Sequence, residues 1–588
     1  MKTLQHLLPG AQTNAVLDGT PTPLSSLDRA FASFLNQQIA SDDARHLWLA
    51  ALTSHQWTRG HACLDLAHLQ SQPEQLLGWT TEHVQHLPQA LHQAASTLPW
   101  AVGDNSPLIL HTSAAHPQGL LYLRRAWTAE QQIRHSIQQR LAHPPEKAPD
   151  LQAQLDALFP DAKANDMQRK ACEVAATQRM ALITGGPGTG KTTTVVRLLA
   201  LLVSQAQATQ QTLHIHLAAP TGKAAARLSE SIQKALTRMP QAVQQSIPTQ
   251  AQTLHRLLHG IHDKQHLASD VVVIDEASMI DLEMMARLMQ AVDDNARLIL
   301  LGDKDQLASV EAGAVMSQLC TGSLLAQQTV TLTHSHRFDA QSGIGQWAQT
   351  VNADDNTQAV QALWRDAPEG FLSASHNVTR WSATQANDAR FAQGVRQAWQ
   401  TWLSQLQPHL GGKACGDDQA LALLESLSEF CVLCALRDGS LGVTQLNAQI
   451  EHALGLGGSP WYVGRPVMVT RNNYALDLMN GDIGICLPAH DGVLRVAFAT
   501  AEAKVRWINP SRLDHVDTVF AMTVHKSQGS EFRHVLLVLP QQDAPVLTRE
   551  LIYTGITRAK ERLTLWSPRP DVLLKACNQR VLRSGGLG

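Results

Sequence analysis

Charge is scarce in this sequence: 16% of the 588 residues are Asp, Glu, Lys or Arg, and they sum to a formal −3. That balance excludes a chain held to a polyanion or a membrane surface by overall basicity, so any charged backbone must be met by a local groove. Long apolar runs are missing too, and no stretch approaches the ~20 residues a bilayer-spanning helix needs. Met1–Gly10 has no apolar core of the secretory kind, and the expectation is a cytoplasmic protein. Cysteine is sparse and scattered, eight in the whole chain, which argues for reduced thiols rather than a disulfide framework. The close pair Cys431-Val-Leu-Cys434 has no second pair beside it to complete a zinc site, and reads as core.

The length, in contrast, is ample: about three or four domains are expected. Residues 1–141 show apolar residues at helical spacing, as in Leu27-Asp-Arg-Ala-Phe-Ala-Ser-Phe34, with a short strand pair at 107–110 and 119–123. They predict a mainly helical docking domain. The Pro-rich stretch His143-Pro-Pro-Glu-Lys-Ala-Pro149 marks a linker, placed at 142–160. Strand and helix patterns alternate over 161–351, which predicts a parallel sheet covered on both faces. A second α/β lobe follows at 352–588, interrupted by a small β insertion around 460–515.

Chemistry concentrates in the first lobe. An apolar strand, Ala181-Leu-Ile183, runs into Gly185-Gly186-Pro187-Gly188-Thr189-Gly190-Lys191-Thr192-Thr193 and then a Leu-rich helix. This is a phosphate-binding loop in its proper setting, with glycines letting backbone N–H groups turn toward an anion at a helix N-terminus. Lys191 is placed to neutralise the outer phosphates and the Thr192 hydroxyl to help hold Mg²⁺, so the chain is expected to bind a nucleoside triphosphate. Val271-Val-Val-Ile-Asp-Glu276 ends a buried strand in two carboxylates, which would be costly unless they faced a metal or a polar cleft. Asp275 is the expected Mg²⁺ partner and Glu276 the base that activates water.

Leu298-Ile-Leu-Leu-Gly-Asp-Lys-Asp-Gln306 repeats the design, with Gln306 suited to sensing a γ-phosphate or its attacking water. Arg337, delivered by a later strand, suits charge on a transferring phosphoryl group, and a surface salt bridge is its alternative. Gln168, ahead of the loop, can present its amide to an adenine edge. Thr221 and Lys223 sit in a strand-end turn, where they could touch a phosphate backbone or where Thr221 could simply cap the next helix. The second lobe offers Arg558 but no phosphate loop of its own, which predicts a cleft that closes on nucleotide held by the first.

The order of Gln168, the phosphate loop, Ala219-Pro-Thr-Gly-Lys223, Asp275-Glu276, Gly302-Asp-Lys-Asp-Gln306, Arg337, Thr523-Val-His-Lys-Ser-Gln-Gly529 and Tyr553-x-x-x-Thr-Arg558 resembles a superfamily-one DNA helicase. The wording of these motifs resembles the RecD family, the alpha subunit of exodeoxyribonuclease V, from about Asn165 to the C-terminus. Gly60-His-Ala-Cys-Leu64 and Leu121-Tyr-Leu-Arg-Arg-Ala-Trp127 are similar more weakly. The resemblance implies two RecA-like lobes with ATP and Mg²⁺ between them, single-stranded DNA across the top, and 5′→3′ movement. It further implies a heterotrimer with RecB-like and RecC-like subunits that processes double-strand breaks, with nuclease action belonging to the assembly. By the same likeness Arg337 and Arg558 reach the γ-phosphate and Glu531 the ribose, while Thr221, His255, Thr523 and His525 meet the DNA strand. A stand-alone 5′→3′ helicase and a nucleotide-gated structural subunit that grips DNA without moving are the alternatives.

Overall fold

The structure, a computed structural model, describes residue 17 and residues 22–161, 166–237, 239–261, 265–335, 342–371, 376–385, 389–500 and 504–588. Its first lobe is built on six parallel strands. From edge to edge they are Gln252–Thr253, Ile215–Ala219, Val271–Ile274, Arg297–Gly302, Met180–Gly185 and Thr329–Leu332. Met180–Gly185 and Val271–Ile274 are buried along their whole length, as strands covered by helices on both faces must be, and this explains their unbroken apolar runs. Because all six point the same way, their C-terminal ends share one edge. Thr184 pairs with Gly302 and Ile274 with Leu300, so the turns after these strands meet there.

The second lobe repeats the plan with five parallel strands in the order Val378–Trp381, Ala559–Trp566, Phe532–Val538, Phe430–Cys434 and Ala521–Thr523. Both Cys431 and Cys434 are buried in this sheet, one toward each of two apolar cores. Trp381, Trp399, Trp402 and Trp566 fill one of those cores with Phe391 and Phe520, so four tryptophans of the chain serve packing. Five antiparallel strands form the insertion, from Pro466–Val469 to Val516–Thr518, closing three residues beyond the expected boundary.

In the N-terminal third one expectation, the linker, needs correcting. The helix Arg124–Ala142 lies against Leu282–Ala291 of the first lobe, and Ala126, Ile133 and Ile137 share a core with Met180, Leu298 and Leu319. Arg140, fully buried, donates to the carbonyls of Val292 at 2.8 Å and Asp293 at 3.1 Å. The N-terminal region keeps an apolar core of its own, with Leu35, Trp48, Leu52, Trp100 and Leu121, and its last helix joins it to the first lobe. The second half of the expected linker is a helix, Leu151–Leu158, whose Leu151 and Leu155 are buried beside Cys172 and Leu199. Its leucines at i, i+4 and i+7 are the apolar stripe of a packed helix. The last residues of the chain return to this region: Ala62 N–H donates to Ser584 O at 2.8 Å, and Gly586 N–H to Glu130 Oε1 at 3.0 Å.

Candidate functional site

The phosphate loop needs its glycines. Gly188 and Gly190 take φ of +78° and +84°, a region side chains avoid. A Cβ on Gly185 would meet the Leu332 carbonyl at 2.8 Å. Lys191 opens the helix Lys191–Ala208, and its ammonium donates to the carbonyls of Gly185 at 2.5 Å and Gly186 at 3.2 Å. A cation thus stands at the helix's positive end, beside orphan N–H groups, where an oxyanion gains most.

The carboxylates gather on the same sheet edge. Glu276 sits at φ +52°, a left-handed conformation that a non-glycine residue holds only under constraint and that clusters at functional sites. Its N–H donates to Asp275 Oδ1 at 2.9 Å. Burial, and then the charge of Glu276, push the Asp275 carboxyl up to about 6, against the pull of Lys191. Thr192 and Asp275 supply hard oxygen donors beside a phosphate cradle, a donor set that fits Mg²⁺, and the crowding of two carboxylates would be relieved by such a cation. Gln306 is buried and donates from Nε2 to Asp303 Oδ2 at 3.0 Å. The next residue is held by the other lobe: Leu307 N–H donates to Thr554 Oγ1 at 3.0 Å, and Gln528 Nε2 donates to Leu307 O at 2.9 Å.

Between the lobes lies a cleft of about 730 Å³ lined by Pro187–Thr193, Asp275, Glu276 and Gln306 from the first lobe and by Glu531 and Arg558 from the second. Arg558 is 2% exposed and braced on its own lobe by Thr554 O and Ser530 O, at 3.3 and 3.2 Å. Burial pulls its pKa down, while Glu276 and Glu531 counter that. Arg337 lies outside the described residues. Gln168 stands behind the loop, donating from Nε2 to Thr189 O at 3.2 Å and accepting from Arg197 Nη1 at 3.3 Å, so its amide steadies the cradle. Glu531, expected at the ribose, has its carboxylate 2.7 Å from Arg227 Nη2 and 3.8 Å from Lys560 Nζ. The reading from sequence missed Arg227 and the cleft-lining Ala157 and Leu158, the last two because they fall in the stretch taken as linker.

Of the residues expected to meet a strand, Thr221 and Lys223 lie where the lobes touch, beside Gly529 and Phe532. Thr221 caps the helix Gly222–Leu236 by accepting from Ala224 N–H at 3.2 Å, the plainer of its two readings. Lys223 is half-buried, its ammonium 5.9 Å from the Phe532 ring centre, and burial lowers it to about 8. His255 is exposed on the short helix Leu254–Leu257, two residues past Thr253, which pairs with Ala219. Thr523 ends its strand and accepts from Lys526 N–H at 3.3 Å; His525 is half-buried and lowered by burial. Lys526, unremarked in the sequence, is exposed, with Nζ 3.3 Å from Asn480 Oδ1 of the insertion. No helix among the described residues is long and apolar enough to cross a membrane.

Comparisons with known proteins agree with this layout. Residues 22–124 match the RecBCD enzyme subunit RecD, N-terminal domain; 163–368 match an AAA domain; and 518–566 match the UvrD-like helicase C-terminal domain. The RecBCD enzyme subunit RecD of Mycobacterium tuberculosis is 39% identical, over 83% of this chain and 85% of that protein. Its namesake in Haemophilus influenzae is 34% identical over 92% of each. The ATP-dependent RecD2 DNA helicase of Deinococcus radiodurans is 30% identical, over 82% of this chain but 60% of that longer protein. A solved structure of Bacteroides Pif1 bound to ssDNA, 16% identical with a TM-score of 0.36, covers 69% of this chain and 92% of that one, and is too distant to bear on the site.

Proposed function

This chain belongs to the RecD family of ATP-dependent DNA helicases, and we propose that it is the 5′→3′ motor of a RecBCD-type helicase–nuclease acting on the 5′-ended strand at a broken duplex. Its partners are RecB-like and RecC-like subunits in a cytoplasmic heterotrimer, and cleavage of DNA belongs to that assembly. One observation carries the reading: Lys191 of one lobe and Arg558 of the other line a single cleft.

The chemistry follows from the placement. The N–H groups of the loop and the Lys191 ammonium hold the β- and γ-phosphates of ATP. Thr192 and Asp275 would hold Mg²⁺, which neutralises phosphate charge. Glu276 accepts a proton from the attacking water, and Arg558 stabilises charge on the transferring phosphoryl group. Gln306 stands between the reacting phosphate and Leu307, whose backbone both bonds to the second lobe. Gain and loss of the γ-phosphate can thus be felt as a change in how the lobes meet, and alternating grip along the seam converts it to a step.

The test is ATP hydrolysis by the full chain with and without single-stranded oligonucleotide, alone and with its partners, for wild type and Lys191→Gln. Strand-stimulated turnover that Lys191→Gln abolishes, with unwinding of 5′-tailed but not 3′-tailed duplex, is expected. Turnover indifferent to oligonucleotide would leave only a nucleotide-gated DNA-binding subunit. Efficient unwinding without partners would make it a stand-alone helicase.

A further inference from the structure

Arg227 lies on the helix Gly222–Leu236 of the first lobe, yet both guanidinium arms are spent on the second. Nη2 is 2.7 Å from Glu531 Oε1, and Nη1 donates to Gly529 O at 2.8 Å. Arg558 takes the residue between them, donating to Ser530 O at 3.2 Å. Three consecutive residues of the second lobe are therefore gripped by two arginines, one from each lobe. Arg227, Glu531 and Arg558 all line the nucleotide cleft. Burial opposes the charge on Arg227, but Glu531 and then Glu276 and Asp275 outweigh it and hold the guanidinium firmly protonated.

Both ends of this contact lead to segments expected to meet the strand. The Arg227 helix begins at the turn of Thr221 and Lys223, which also approaches Gly529: a Cβ there would lie 3.7 Å from Thr221 Oγ1. Gly529–Glu531 continues directly from Thr523, His525 and Lys526. A polyphosphate entering the cleft is a competing oxyanion, and guanidinium is the side chain best shaped to exchange one oxyanion for another. To turn toward it, Arg227 must loosen Glu531 and Gly529, which leaves Glu531 to Lys560 at 3.8 Å and lets the two segments move relative to one another.

We propose that Arg227 is a positioning residue that links nucleotide occupancy to strand grip by trading the Glu531–Gly529 clamp for phosphate. The proposal rests on the nucleotide reading of the cleft and assigns a role to a residue beside the γ-phosphate arginines.

Affinity for a fluorescent oligothymidine is measured on the full chain with and without ADP–aluminium fluoride, for wild type, Arg227→Gln, Glu531→Gln, the double variant and Arg227→Lys. The ratio of the two affinities is the coupling factor, and for linked sites it is about 5–150-fold. Arg227→Gln and Glu531→Gln are each expected to bring it close to one, the double variant no further than either single, and Arg227→Lys to retain part of it. A coupling factor of one in wild type overturns the proposal. So does Arg227→Gln weakening strand binding equally in both nucleotide conditions, or two effects that multiply in the double variant. Should Arg227→Gln fail to fold, Glu531→Gln and Arg227→Lys carry the same test. Analogue binding by Lys191→Gln is the separate control: if it is undiminished, the nucleotide reading itself fails, whatever Arg227 does.

Discussion

Tyr553 of the second lobe donates its hydroxyl hydrogen to Asp303 Oδ2 of the first, 3.0 Å away. The same hydroxyl lies 2.8 Å from where a Cβ on Gly186 would stand, so the phosphate loop has glycine partly because the other lobe leans on it. Asp303 also receives Gln306, and burial pushes its carboxyl up. One buried carboxylate thus collects a donor from each lobe immediately behind the phosphate cradle.

Tyr553→Phe should expose how far this bond serves coupling. The ring still fills its place, but a buried acceptor loses a donor, and about 1–3 kcal/mol of stability should go with it. Strand stimulation of ATP hydrolysis should fall more than basal hydrolysis, because the bond crosses the lobes. Denaturant unfolding alongside ATPase assays with and without oligonucleotide checks this. An unchanged stimulation ratio would confine Tyr553 to packing.

Glu276→Gln keeps shape and removes the base. Hydrolysis should drop about 10²–10⁴-fold, while binding of a fluorescent ATP analogue persists. Loss of binding in step with turnover would mean that Glu276 holds the left-handed turn rather than acting on water.

What was legible in the sequence is what lies close along the chain. The glycines, Lys191 and Thr192 form one turn, and Asp275-Glu276 and Gln306 each end an apolar strand, so local pattern placed them and the parallel sheet did the rest. Arg558 could be foreseen because the second lobe had to offer something to a cradle it lacks. Contacts between distant segments could not. Arg227 and Gly529 are 302 residues apart, Tyr553 and Asp303 250, and no periodicity encodes such pairs. The helix Leu151–Leu158 was legible in its leucine spacing, and a run of prolines just before it obscured that.

Glu130 should make stability depend on pH. It is 1% exposed, accepts from Tyr122 Oη at 3.0 Å and from Gly586 N–H, and burial pushes it up to about 7 from an ordinary 4.5. The folded chain then holds a proton that the unfolded chain releases. This contribution is complete below about 4.5 and fades as pH rises through about 7. Unfolding free energy measured between pH 5 and 8 should decline for wild type by more than for Glu130→Gln. Parallel curves would show that Glu130 titrates normally.

Lys526 is the exposed cation of its motif and reaches toward the insertion at Asn480, whereas Lys223 is half-buried beside Phe532. The two should therefore fail differently. Each phosphate neutralised on a single strand adds about 0.7 to the slope of log affinity against log salt. Lys526→Ala should remove about that much from the slope, weaken oligonucleotides of every sequence alike, and leave thermal stability nearly untouched. Lys223→Met should take less from the slope and shift thermal stability more, since that half-buried ammonium packs beside Phe532. With a net charge of −3, few such contacts are to be expected, so the loss of one should stand out in a salt titration. If Lys223→Met flattens the slope and Lys526→Ala does not, the strand follows the seam itself and not its outer lip.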